Sequence, residues 1–570
     1  MLATACAFYV VFIARASFTV GSSRVFTLFD DAMISMRYAR NLATGAGLVW
    51  NSGEAPVEGY SNFLWTLWMV VPHLLRVSDA KASLLVALTG AAVLLAIAWV
   101  AALIVRELVP DSTIAPAIAA ALAAFYYPLD YWTLRGMEVG ALAFAVLSMA
   151  YAILRLRERW TLPRVVAAGC AALAALLLRA DGVILVLALS VGAFAVLPKR
   201  SGRRLLVGLL LLVVATLAAH TLLRLAAYGD ALPNTYYLKM TGVPLSDRIL
   251  RGTAALWDVL TVHLWPAAVA AALLGRDLFR PPFLLFTCVV CGQAAYSVWA
   301  GGDAWEWMHY SNRYLATVSP PLLVLAACGL HAHARRTPAG RRAGGALVLI
   351  AAGLAMASPS AHSWVDMVGV LSFMHRYPAL RLLAGGALIA AGVATLRSRR
   401  PSLAPSGGIG GRTSHLLWGS PRTVVWAVLL GVALNTVPLL QWMRDGGYHV
   451  RDDASQARLG ITLREGTDRD ARIAVVLAGS VPYFSHRSAV DLLGKSDRYV
   501  ARLPGRDRFN PGHNKWDYAY SLRTFRPDVV VQLWIGTDAD VVMLRSMGYE
   551  RLPSGLWVLR SSTKVNRGGL

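Results

Sequence analysis

Apolar segments of roughly 20 residues recur along residues 1–440, and that recurrence leaves few folds open to the chain. At 1.5 Å per residue, about 20 residues cross the hydrocarbon core of a bilayer. A helix satisfies all its backbone groups there without a partner segment. Hydrophobic residues make up 56% of the chain and charged residues only 15%, with a mean hydropathy of +0.52. Soluble domains are about a quarter charged. The net charge of +23 does not imply a nucleic-acid partner, because the basic residues sit in short clusters between apolar runs. Such clusters mark the cytoplasmic loops of membrane proteins.

Those clusters order the topology. They fall at Arg106, at Arg155 to Arg164, at Lys199 to Arg204, at Arg276 and Arg280, at Arg335 to Arg342, and at Arg397 to Arg422. Placing them inside gives spans near 3–20, 82–105, 113–128, 138–154, 165–178, 183–197, 205–226, 255–275, 281–299, 315–333, 344–360, 379–396 and 423–441. That is an α-helical polytopic bundle of about thirteen spans, with the N-terminus inside and the C-terminus outside. The first span is read as uncleaved, with Arg15 at its outer end. The short pair 165–178 and 183–197 spans or re-enters; either way it forms a hairpin. Residues 62–75 are apolar but too short to span, and their tryptophans suit an in-plane helix on the outer surface. Cys288 and Cys291 lie in an apolar run and are expected to pack rather than bind metal.

With that topology the loops rich in acidic, cationic and aromatic residues share the outer face. The 21–81 loop carries adjacent carboxylates, Asp30 and Asp31, at the start of a helical pattern. In a helix they point about 100° apart, so different roles are expected; the bland alternative is an N-cap with a solvated neighbour. Group transfer outside the cytoplasm needs an activated donor that reaches the membrane, and a lipid-linked sugar phosphate fits. Such chemistry needs a carboxylate base and cations for the departing phosphate. Arg37 and Arg40 follow the pair near the same site, and Arg135, Lys239 and Arg313 are candidate phosphate contacts; for each arginine an interfacial anchor stays open. Residues 1–444 thus read as a membrane module. Residues 445–570 alternate short strands (473–478, 489–493, 528–532, 555–559) with helices (454–465, 514–525, 538–547), as a small extracytoplasmic α/β domain would. Residues 397–412 read as a flexible loop.

A resemblance then sharpens the reading. Asp30-Asp31, Arg37-Tyr-Ala-Arg-Asn41, Gly45-Ala-Gly-Leu-Val-Trp-Asn51 and Val57-Glu-Gly-Tyr-Ser-Asn62 resemble the first outer loop of the polyprenyl-phosphate-dependent GT-C glycosyltransferases. Within them the likeness is to the terminal arabinofuranosyltransferases of mycobacterial arabinan. It continues at Arg135-Gly-Met-Glu138, Arg179-Ala-Asp181, Tyr228 to Thr235 with Lys239, Gly301-Gly-Asp303 with Arg313, Asp491-Leu-Leu-Gly494 and Gly512-His-Asn-Lys515. It departs at Ala180, where the family usually has Pro, and at Arg135, where a small residue is more usual.

The resemblance implies a GT-C membrane bundle with a periplasmic C-terminal domain in a bacterial plasma membrane. It implies a decaprenyl-phosphate-linked donor, D-arabinofuranose in this branch, and a cell-envelope carbohydrate acceptor. Mannose or another sugar, on glycan or protein, stays open, and a lipid-linked sugar transporter is the competing class. By the same likeness Asp30 is the first choice for base, and Asp31 serves sugar hydroxyls or a metal. Glu58 is a second acidic residue, and Glu138 takes a sugar hydroxyl or cation. Asp303 reaches in from a glycine-rich loop, and His309, His513 and Lys515 lie near the phosphate. Tyr60, Asn62, Arg179, Asp181, Asn234 and Tyr236 line substrate on the matching motifs. A divalent cation held by Asp30, Asp31 or Glu58 stays open, without any ligand spacing to require it.

Overall fold

Long apolar runs flanked by polar caps fold as helices. Asp79–Leu108 shows the pattern: extended Ser78 precedes it, Asp79 sits in its first turn and Arg106 in its last, each complementing the helix dipole. The computed structural model describes residues 1–306, 312–336, 338–358, 378–397, 421–445, 449–506 and 509–570. Among these, six helices are long and apolar enough to cross a membrane: Asp79–Leu108, Val139–Glu158, Lys199–Tyr228, Leu245–Ala272, Phe283–Ala300 and Gly340–Ala357. Shorter apolar helices fill the other expected spans, among them Leu2–Arg15, Ala115–Ala124, Leu162–Leu178 and Gly182–Val196. The chain is a multi-pass membrane protein with a helical bundle and a small C-terminal sheet domain.

Three expectations for the helical module need correction. The first helix ends at Arg15, not residue 20, because Ser17–Val20 pairs with Ser23–Phe26 as a hairpin around Gly21, which turns at φ +57°. The expected span 113–128 ends at Ala124, and a separate helix, Tyr127–Leu134, follows, with Pro128 in its first turn where its missing N–H costs nothing. Cys291 is exposed on its helix rather than packed. The 165–197 pair does form a hairpin, and its helices approach so closely that a Cβ on Gly182 would lie 2.1 Å from the Ala175 oxygen. Residues 62–75 form two short helices, Phe63–Trp68 and Val70–Leu74. The loop expected at 397–412 lies almost wholly outside the described residues.

The C-terminal sheet runs Ser488–Asp491, Arg472–Val475, Val529–Val530, Trp557–Leu559, Tyr549–Arg551, the first three parallel and the last two antiparallel. The strand Tyr549–Arg551 was not expected. It forms a hairpin with Trp557–Leu559 through Gly555 at φ +89°. The helix expected at 514–525 starts only at Tyr518, because the Asp517 carboxylate accepts the Tyr520 N–H and caps it.

Candidate active site

The helix Asp30–Ala43 begins where Phe29 is extended and its N–H is tied to the Arg135 carbonyl at 2.9 Å. Asp30 and Asp31 occupy its first turn and diverge. Asp30 faces the C-terminal domain: its oxygens accept the Gly479 N–H at 3.2 Å and the Ser480 N–H at 2.7 Å. A Cβ on Gly479 would sit 1.9 Å from the Asp30 carbonyl oxygen, so glycine is what permits this approach. Burial pushes the Asp30 carboxyl up to about 6, against the pull of Lys495 and the Ser480 N–H.

Asp31 faces a cluster of cations. Lys495 donates to one oxygen at 2.7 Å and Arg313 to the other at 2.9 Å. Burial alone would raise this carboxyl, but Lys495 and Arg313 hold it well below the usual carboxylate range. Arg313 is in turn gripped by Asp303, whose two oxygens take its Nε and Nη2 at 2.7 Å each, and it lies over the Trp132 ring. Lys239 completes the group. Its ammonium has no hydrogen-bonding partner among the described residues, and burial with nearby Arg313 lowers it to about 8. His513 stands beside these charges between Trp305 and Trp534, ring centroids 5.2 and 5.3 Å away. Burial and Lys495 hold it down to about 3, so it is neutral.

A second polar patch adjoins the first. Asn62 donates to Glu138 at 2.9 Å and accepts Ser35 and Thr66 hydroxyls. Arg179 binds Glu138 at 3.3 Å and Asp181 at 2.8 Å, and stacks on Tyr314, the neighbour of Arg313. Gln293 donates to Asp181 at 2.7 Å. These groups offer donors and acceptors suited to sugar hydroxyls.

Several expected contacts are spent on the protein itself. Arg37 donates to Trp50, Pro482 and Arg487 carbonyls and to Asn51. Arg40 binds the Tyr483 carbonyl at 2.6 Å. Arg135 pairs with buried Asp453 and the Thr27 carbonyl. Lys515 satisfies its ammonium on three carbonyls, of Tyr237, Thr241 and Ala501. These four bind the helical module to the sheet domain or the domain to itself, and none meets the Asp pair. Glu58 pairs with Arg224 at 2.7 Å, Tyr60 meets the Tyr228 hydroxyl at 3.1 Å, and half-exposed Tyr236 packs on Tyr237. Asn234 holds the loop that presents Lys495. His309 lies outside the described residues.

Sequence reasoning missed Lys495, Asp491's supporting role and Gln293. Lys495 directly follows the Asp491-Leu-Leu-Gly494 motif, which was a usable signal. Gln293, a lone amide within an apolar helix, was another. Among the described residues no group of three or more His, Cys, Asp or Glu assembles for a metal. Both Asp31 oxygens already hold cations, and Glu58 holds Arg224.

The fold matches crystal structures of ArnT from Cupriavidus metallidurans. The apo form shares 16% identity over 97% of this chain and 96% of that chain, with a TM-score of 0.50. The form bound to undecaprenyl phosphate shares 14% identity over 98% of each chain, with a TM-score of 0.51. This is the GT-C fold. Residues 446–565 match a domain of unknown function, DUF8728. No curated protein matches the chain in sequence.

Proposed function

We propose that this GT-C-fold protein transfers a sugar from a polyprenyl-phosphate-linked donor to an acceptor hydroxyl at the cluster around Asp31. The carrying observation is that Asp31 is locked between Lys495 and Arg313 while Lys239 beside them has no hydrogen-bonding partner among the described residues. An anionic ligand is what such excess positive charge accepts. Arg313 and Lys239 hold the donor phosphate, and the Asn62–Glu138–Arg179–Asp181 patch receives the sugar. The likeness to a protein crystallised with undecaprenyl phosphate supports a lipid phosphate in this fold.

The acceptor oxygen attacks the anomeric carbon, the bond from that carbon to the phosphate oxygen breaks, and the polyprenyl phosphate leaves with the electron pair. The acceptor proton goes to a carboxylate, and single displacement inverts the centre. Asp31 suits the proton's destination better than Asp30, because its side chain is 17% exposed whereas Gly479 and Ser480 cover Asp30. The donor phosphate competes for Arg313 and so lifts Asp31 from its depressed state. The sugar follows from the motif resemblance: D-arabinofuranose from a decaprenyl-phosphate donor, passed to a cell-envelope glycan on the periplasmic face of a bacterial plasma membrane.

The test is transfer from synthetic decaprenyl-phosphoryl-arabinose to a short arabinoside, with Asp30→Asn and Asp31→Asn beside wild type. Transfer that Asp31→Asn abolishes supports the whole reading. Transfer only from another lipid-linked sugar keeps the chemistry and removes the arabinosyl assignment. Inactivity with every lipid-linked sugar refutes it.

A further inference from the structure

The C-terminal domain does more than sit on the bundle. We propose that this domain of unassigned role is half of the active site, and that Lys495 is a catalytic residue whose ammonium binds the phosphate of the lipid-linked donor. The inference rests on the glycosyltransferase reading above and extends it to a residue and a domain.

Two uses of lysine in one domain make the contrast. Lys515 fastens the domain: its three N–H groups meet three carbonyls at 2.8 to 2.9 Å. Lys495 makes one hydrogen bond among the described residues, to Asp31, and keeps two N–H groups for another acceptor. Lys239 lies in the same cluster with all three uncommitted among the described residues. A donor phosphate would supply the acceptors that both ammonium groups lack.

The loop carrying Lys495 is built to hold it there. Asp491 accepts the Leu493 and Gly494 N–H groups on one oxygen and the Ser496 N–H, at 2.6 Å, on the other. Asn234, from the helix that carries Lys239, donates to the Gly494, Lys495 and Asp497 carbonyls at 2.8 to 3.1 Å. A Cβ on Gly59 would lie 2.3 Å from the Ser496 hydroxyl, so the first loop after the Asp pair is shaped to admit this segment. The two modules thus position Lys239 and Lys495 together through shared hydrogen bonds.

The experiment uses the full chain in detergent, with donor and acceptor as above. Lys495→Met should lower transfer about 100-fold, the usual loss when one charge-stabilising group is removed. Lys495→Arg should retain more activity than Lys495→Met. Lys495→Cys should be as poor as Lys495→Met until 2-bromoethylamine rebuilds the ammonium and restores transfer at least tenfold. The same treatment of Lys495→Met controls for the five native cysteines. A purely structural lysine predicts Lys495→Met within a few-fold of wild type, or no gain on aminoethylation, and either result overturns the proposal. If wild type transfers no lipid-linked sugar, the underlying reading has failed instead. Decaprenyl phosphate binding then decides separately: at least tenfold weaker binding by Lys495→Met supports the lysine's role, and equal binding overturns it.

Discussion

Removing the Asp31 carboxylate should loosen the Lys495 loop by a calculable amount. The pair is 2.7 Å apart, with side chains 9% and 17% exposed. At an effective dielectric of about 20 the gross attraction is roughly 6 kcal/mol. Desolvation of the two ions offsets about half of that. The net coupling is then about 3 kcal/mol, within the range found for close charge pairs across interfaces. Asp31→Asn leaves a buried ammonium facing Arg313 and Lys239 without its counter-ion. Lys495→Met then relieves what Asp31→Asn costs. Amide exchange in residues 492–500 reads the effect, because the Ser496 N–H is held at 2.6 Å by Asp491 in the same loop. Asp31→Asn should speed exchange there about 100-fold, the equivalent of that energy. The double variant should return most of the protection while staying inactive. Exchange within threefold of wild type in Asp31→Asn, or no recovery in the double variant, would refute the coupling.

Other outcomes follow from the same contacts. Gly479→Ala places a methyl against the Asp30 carbonyl and should part the modules: faster proteolytic release of the C-terminal domain and at least tenfold less transfer, whereas Gly208→Ala, with open space around it, should be silent in both assays. Arg135→Met strands Asp453 in the interface and should destabilise the docked state by about 3–5 kcal/mol, with Asp453→Leu added in the same chain recovering much of it; thermal unfolding in detergent measures both. Burial raises Asp453 to about 7 and Asp30 to about 6, so the folded state binds protons more tightly than the unfolded one. These two carboxyls therefore contribute stability that is present near pH 4 and is lost as pH rises through 6 and 7, while His513, held down to about 3, works in the opposite sense below the ordinary imidazole range. The Asp453 part is isolated by difference: the thermal midpoint of wild type relative to that of Asp453→Asn should rise between pH 7.5 and 5.

Much of the architecture was legible along the chain. Apolar run length and loop charge marked the spans because both are local properties. The divergence of Asp30 and Asp31 followed from helix geometry alone. Lys239 and Arg313 stand out as outer-loop cations and Asp303 follows from its glycine-rich motif; Arg313 binds both Asp303 and Asp31. What stayed hidden was how each arginine is used. Arg37 reads as part of the site around the Asp pair and Arg135 as a phosphate contact because outer-loop cations suit a departing phosphate. Their partners, Pro482, Arg487 and Asp453, come from the sheet domain, where no pattern near residue 37 or 135 points. The hairpin after Arg15 was hidden differently: Ser17 to Val20 is apolar enough to extend a helix, and only pairing with Ser23–Phe26 favours the strand.

The chain by itself determined a many-span helical bundle with a charged, aromatic face and a small α/β domain after it, since apolar length, turn residues and alternation act over a few consecutive positions. Only the tertiary structure decided which charges share the site. Arg313 and Lys495 lie 282 and 464 residues from Asp31, and a pairing at that separation is selected by closure of the whole fold. Burial, which raises Asp30 and the cation pair which depresses Asp31, exist only once that closure has excluded water from both.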